Sequence, residues 1–214
     1  MARVVPIPVG TLIVDTEAKL TVARCQALKA AGVGCVSRYA PLPGNSAVFD
    51  LDAAEVQAVM SVPGLGLYVV QHVLNPGWTA STELGQQQAS HAAAHCIACG
   101  VLPGTTLEWD CEETASGVDA VAQHGTAWWE SCKTGGYHPM VYQGAGVPFT
   151  ASDWFRRLPF EAYEKSQSDV PAPAHRGWCV IQAFPSSTCA GLSVDFAIAQ
   201  RDYMGGYARM MVNS

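Results

Sequence analysis

The sequence predicts an α/β fold, a compact (β/α)8 TIM-like barrel in which some helices are short or missing. Short β-branched or apolar runs recur eight times along 214 residues, most of them separated by stretches with helical spacing. No glycine-rich phosphate turn follows the first run, where an open doubly wound sheet usually carries one. Asp15-Thr16-Glu17 stands there instead. The length falls below the ~250 residues of a typical barrel, so eight full helices do not fit. No long linker or internal repeat divides the chain, and residues 1–214 are expected to form one domain.

Leu12-Ile13-Val14 is the first strand and ends at Asp15. Leu20, Ala23, Ala27, Leu28 and Ala31 keep helical spacing over 18–31, and Gly32 stops the helix. A second strand covers 35–39. Asp52 with Glu55 three residues later is a capping signature that opens a helix to about residue 61. Strand three is 65–71, followed by a long Ala- and Gln-rich helix over 82–98 closed by Gly100. Strand four is 106–110. The helix over 118–134 ends at Gly135-Gly136. Strand five, 139–143, precedes a short helix near 153–158, and strand six falls near 160–163. A Ser-, Pro- and Ala-rich loop leads to strands seven, 178–184, and eight, 192–198.

Composition narrows the function. Hydrophobic residues make up 49% of the chain and charged residues 14%, against roughly 25% charged in an average soluble domain. Net charge is −6, and the twelve Lys and Arg residues are scattered. Neither nucleic acid nor an anionic membrane surface suits such a chain as partner, because both require clustered cations. No apolar run approaches the ~18–20 residues that cross a bilayer. The first ten residues hold two prolines and no apolar core, so no secretory signal is read there, and action outside the cytoplasm would need a non-classical route or lysis.

Eight cysteines invite a disulfide reading, but a chain this long without a leader needs no stapling. Cys179 and Cys189 flank a loop and could pair. His91, His95, Cys96 and Cys99 are the one cluster resembling a metal site. A zinc site built wholly within one helix is rare and no second half appears, so they are read as structural; neither metal nor cofactor is expected. A serine hydrolase elbow, Gly-x-Ser-x-Gly, is absent. Cys111 sits among acids that would raise rather than lower its thiol pKa.

Carboxylates are few, yet they gather at strand ends. Asp15 follows strand one. Glu108, Asp110 and Glu112 alternate along strand four, and Asp195 lies in strand eight. Residues two apart on a strand share a face, so Asp110 and Glu112 point together, while Trp109, Cys111 and Glu113 point away. Strands one and eight are neighbours in a closed barrel, which sets Asp15 beside Asp195 at the mouth where barrel active sites form. Crowded carboxyl groups raise one another's pKa, as a general acid near neutrality requires. Glycoside hydrolysis uses such pairs. Glu108 is a further inward acid, and Arg38 two strands away could pair with it. Trp178, Tyr142 and Tyr163 offer flat faces for sugar rings.

These residues resemble a known family. Asp15 ending strand one, Asp110-Cys111-Glu112 ending strand four and Val194-Asp195-Phe196 after Ile181-Gln182 are similar to glycoside hydrolase family 25. They are closer still to a related glycoside-hydrolase-like domain of bacterial and phage proteins. Supporting stretches are Ala27 to Gly32 leading to Ser37-Arg38-Tyr39, Val141-Tyr142 and Ala162-Tyr163. The aromatic that usually follows the glutamine is replaced by Ala183, with Phe184 displaced by one. Family 25 enzymes are muramidases that cut the β-1,4 bond between N-acetylmuramic acid and N-acetylglucosamine in peptidoglycan. The resemblance implies Glu112 as general acid, Glu113 remaining an alternative by a one-residue shift, and Asp110 as the acid that orients or stabilises. Asp15 and Asp195 complete the mouth. Tyr142, Tyr163, Gln182, Trp178 and Arg38 are the expected substrate contacts. The other class of function is a catalytically inactive barrel that binds glycan or builds a phage or secretion assembly. Low charge and a mean hydropathy of +0.13 suit such assembly partners.

Overall fold

The computed structural model describes residues 1–183 and 185–213. Phe184, and with it the predicted end of strand seven, lies outside the described residues. The strands are β1 (Ala2–Pro6), β2 (Leu12–Asp15), β3 (Cys35–Ala40), β4 (Gly66–Gln71), β5 (Thr106–Cys111) and β6 (His138–Gln143). They continue with β7 (Tyr163–Lys165), β8 (Val180–Gln182), β9 (Ser187–Cys189), β10 (Leu192–Ala199) and β11 (Arg209–Asn213). The helices are α1 (Val22–Ala30), α2 (Ala53–Met60), α3 (Thr82–Cys99), α4 (Val118–Thr134) and α5 (Ala151–Arg156).

Local side chains start the helices, although α1 begins at Val22 rather than at the expected residue 18 and α5 at Ala151 rather than near 153. The side chains of Thr21, Asp52 and Ser81 accept the third backbone N–H of α1, α2 and α3, and Thr150 with Asp153 forms a reciprocal capping box at α5. At α2 only half of the predicted box forms. Asp52 accepts the Glu55 N–H, but the Glu55 carboxylate turns away to Arg38 and the Leu20 N–H.

The sheet closes into an eight-stranded barrel. β2 through β8, in order and excluding none, pair in parallel from neighbour to neighbour. β10 then seals the ring between β8 and β2, antiparallel to both. The expected barrel is therefore present, with the five helices confined to the crossovers from β2 to β7 and the last strand reversed. The reversal has a simple cause. Residues 183–191 hold the short strand β9, which forms a hairpin with β10, and a parallel return needs a crossover of a dozen residues or more.

Two apolar layers follow from strand alternation. Val14, Val36, Leu67, Val69, Leu107, Trp109 and Val141 face outward against the helices, where Trp109, Trp128 and Phe160 stack. Ile13, Cys35, Tyr68, Met140, Val180 and Ala197 face the barrel interior. β11 completes the interior from below by pairing with the start of β4. Gly66 leaves the space that the Met210 side chain occupies, so any Cβ there would collide with it. All eight cysteines are buried free thiols, and the Cys179–Cys189 pairing is not made.

Candidate active site

The open end of the barrel is lined by four acids from three strands. Asp15 on β2 sits directly opposite Asp195 on β10 in the antiparallel register. The reversed β10 thus delivers an acid near its beginning to the same end at which β2 delivers one at its finish. Asp110 is the last inward residue of β5, and Glu112 follows where the strand stops. All four residues are partly exposed, so the mouth is open. Asp15, Thr16, Tyr39, Ser193 and Asp195 line a cleft of about 270 Å³ there.

The turn after β5 is held in place by its neighbours. Trp78 Nε1 donates to Glu112 O at 2.7 Å, Glu113 N donates to Ala145 O at 2.7 Å, and Gly77 N donates to Glu113 O at 2.7 Å. This forces Glu113 to a φ of 51°, an uncommon conformation for a side chain of this kind. Glu113 points to solvent, whereas Glu112 packs against Gly144 at the end of β6, where a Cβ would overlap it. No hydrogen bond ties down the Glu112 carboxyl group among the described residues. Between the two glutamates, Glu112 is the one aimed into the mouth.

Crowding and burial raise the carboxyl groups. Burial lifts Asp15 to about 7, against the opposing effect of the Tyr39 hydroxyl, which donates to Asp15 Oδ2 at 2.7 Å; the Asp195 charge adds to the rise. Asp110 is held well above the usual range by burial and then by Glu112, Asp15 and Glu164. Glu112 is raised by burial and by Glu113. Carboxyl groups that keep their protons near neutrality are what acid catalysis uses.

The walls are polar and aromatic. Tyr142 donates to Gln182 Oε1 at 2.9 Å across the mouth, so both of these predicted contacts face the acids. Tyr39 stacks on His72 with ring centroids 4.6 Å apart, and His72 Nε2 bonds Asp50 Oδ1 at 2.9 Å. Burial holds the His72 pKa down.

Three predicted contacts lie elsewhere. Tyr163 faces outward, buried beside Trp154 and donating to Trp154 O at 2.7 Å. The sixth strand begins at Tyr163 rather than ending there, and a shift along a strand decides which side each residue faces. Trp178 packs on the outer layer, with its indole N–H given to Gln143. Arg38 is fully buried on the outward face of β3, with Nε 2.6 Å from Glu55 Oε1, so it pairs with neither substrate nor Glu108. Tyr39, next to it, is the inward residue. The same alternation exposes what the sequence reading missed. Glu164, not Tyr163, enters the barrel, and it lies beside Glu108. His72 and Asp50 were equally unmarked, because they come from loops after β3 and β4.

The His91–Cys99 cluster serves packing. His95 Nε2 and Cys99 Sγ both reach Leu51 O, at 2.7 and 3.5 Å. Cys111 is buried on the outer layer with its thiol pKa raised by burial and then by Asp110 and Glu112.

A closed barrel with five helices, a reversed final strand and acids gathered at its mouth is a glycoside-hydrolase-like barrel. The chain belongs to the family described as Rv2525c-like, glycoside hydrolase-like domain, whose model matches residues 26–193. Similar solved structures include an uncharacterized B. stearothermophilus protein, 17% identical with a TM-score of 0.65 over 92% of this chain and 100% of that one. The catalytic domain of endolysin ply40, from bacteriophage P40 of Listeria monocytogenes, is 19% identical with a TM-score of 0.61, over 89% of this chain and 93% of that one. A family 25 glycosyl hydrolase from Bacillus anthracis is 14% identical with a TM-score of 0.57, over 89% of each chain. No curated protein matches the chain in sequence.

Proposed function

We propose that this protein is a peptidoglycan-directed glycoside hydrolase of muramidase type, made in the cytoplasm and acting outside it. The observation that carries the proposal is the meeting of Asp15, Asp110, Glu112 and Asp195 at one open barrel end, with the Glu112 carboxyl group making no hydrogen bond among the described residues. The likeness to an endolysin catalytic domain and to a family 25 glycosyl hydrolase supports a glycan as substrate. Glu112, protonated, gives its proton to the glycosidic oxygen as the bond from the anomeric carbon breaks. Positive charge then develops on the sugar ring, the neighbouring carboxylates stabilise it, and a water molecule adds to the anomeric carbon while its proton returns to Glu112. Tyr142, Tyr39 and Gln182 form the walls against which the sugars pack.

The test is digestion of purified peptidoglycan, followed by reducing-end and mass analysis. Fragments ending in reducing N-acetylmuramic acid support the proposal. Retention of intact glycan without cleavage would instead fit an inactive binding or structural barrel. The sign of the pH dependence follows from the acid's role. Glu112 must hold its proton, so activity is present below its raised pKa and falls as pH rises through it. Gly144→Ala should lower the rate by up to about 100-fold, because the new methyl displaces Glu112 from its seat while the acid itself remains. Turnover measured beside a native thermal midpoint checks this.

A further inference from the structure

The ladder that fixes β5 stops short of the proposed acid. β4 pairs with β5 only as far as Gln71 and Trp109, and β6 only as far as Gln143 and Cys111. Beyond Cys111 a single peptide is gripped at both ends. Its carbonyl, Glu112 O, accepts the indole N–H of Trp78 at 2.7 Å, and its N–H, that of Glu113, goes to Ala145 O at 2.7 Å. Trp78 lies in the loop between β4 and α3, and Ala145 in the loop after β6. Two separate loops therefore set the rotation of that plane. A peptide is rigid, so its rotation is ψ of the residue before it and φ of the residue after it. Glu113 is kept at φ 51°, a conformation that costs a side chain energy and relaxes unless it is held. Glu112 is kept with its side chain against Gly144, where only a hydrogen fits.

Trp78 is itself firmly placed. Its carbonyl accepts Ala115 N at 2.9 Å and the Thr114 hydroxyl at 3.0 Å. Its ring lies against the buried His124 of α4, centroids 5.0 Å apart, and His124 stacks in turn on Trp109 at 5.1 Å. Gly77 beside it donates its N–H to Glu113 O at 2.7 Å. The indole is thus a fixed donor mounted on the outer core. Such support matters, because a proton donor displaced by about 1 Å loses much of its effect.

We propose that Trp78 is a positioning residue for Glu112, its indole N–H locking the Glu112–Glu113 peptide so that the Glu112 side chain stays in its seat by Gly144. The role of the seated carboxyl group as general acid rests on the glycosidase reading; the lock itself does not. Without the indole N–H, one end of the peptide is released, Glu113 relaxes from its left-handed backbone, and the Glu112 side chain swings toward water.

The experiment is a pH titration of carboxyl-labelled glutamates by carbon-13 NMR on the full chain, with Glu112→Gln identifying the Glu112 signal. In Trp78→Phe the Glu112 midpoint should fall by on the order of half a pH unit, since burial is the main cause of its rise. Trp78→benzothienylalanine keeps the bicyclic ring against His124 and lacks only the N–H, so it should fall equally. Ser116→Ala removes the 2.8 Å bond from Ala80 N that joins the same two loops elsewhere, and should leave the midpoint unmoved. A normal midpoint in either Trp78 variant, or an equal fall in Ser116→Ala, would overturn the proposal. These signals need no turnover, so a chain that cleaves no peptidoglycan refutes the glycosidase reading and still decides the lock. In an active chain, Trp78→Phe should lower kcat by about 10- to 100-fold with KM within about two-fold. A loss carried by KM alone would assign Trp78 to substrate binding and count against the lock.

Discussion

Glu112→Gln should reduce reducing-end release from peptidoglycan by about 10²- to 10⁴-fold, the usual worth of a positioned general acid. Stability should hardly change. The carboxyl group makes no hydrogen bond among the described residues, and glutamine fills the same volume against Gly144. Glu113→Gln is the matched control. That side chain is exposed and turned from the mouth by its backbone, so its loss should cost no more than a few-fold. A similar fall in both variants, measured on the same peptidoglycan, would show that the acid has been placed on the wrong residue.

Arg38→Met should have the largest effect on folding. Arg38 lies fully buried between β3 and α2, with Nε at 2.6 Å and Nη2 at 3.4 Å from the Glu55 carboxylate. It also donates to Thr16 O and Phe49 O, tying the segment after Asp15 to the loop before α2. Removing the guanidinium strands a buried carboxylate with only the Leu20 N–H at 2.9 Å and Lys19 Nζ at 3.5 Å. The expected loss is about 3–5 kcal/mol in urea unfolding. The double variant Arg38→Met/Glu55→Leu should recover most of it, because no charge is then left uncompensated. If the double variant is as unstable as the single one, the backbone carbonyls rather than the ion pair account for the role of Arg38.

Much of this architecture was legible in the chain. The helix over Val118–Thr134 has the expected bounds, and the strands from β2 to β6 begin and end within two residues of expectation. Their β-branched runs, apolar periodicity and capping side chains all act locally. The convergence of Asp15, Asp110, Glu112 and Asp195 was legible for the same reason, since strand alternation and barrel closure suffice to place them. What escaped depends on distant partners. β7 is Tyr-Glu-Lys, a segment with little strand character of its own, and it is a strand because β6 and β8 bracket it. Its displacement put Tyr163 on the wrong side and hid Glu164. Arg38 looked available to a substrate because nothing in the sequence tells it that Glu55 lies behind the wall. For the reversed β10, the signal was present in the shortness of residues 183–191. β1 and β11 went unassigned, although Val4-Val5 and Met210-Met211-Val212 were there to read, because eight strands already closed the ring.

The seam between β4 and β5 has a consequence for synthesis. The two strands pair only from Val69 and Leu107 onward, and below that point β11 supplies the partner for Gly66 and Leu67. Residues 209–213 come after every acid of the mouth in the chain and fill the slot that β5 leaves open at the base, so the mouth can be built before the floor beneath it is sealed.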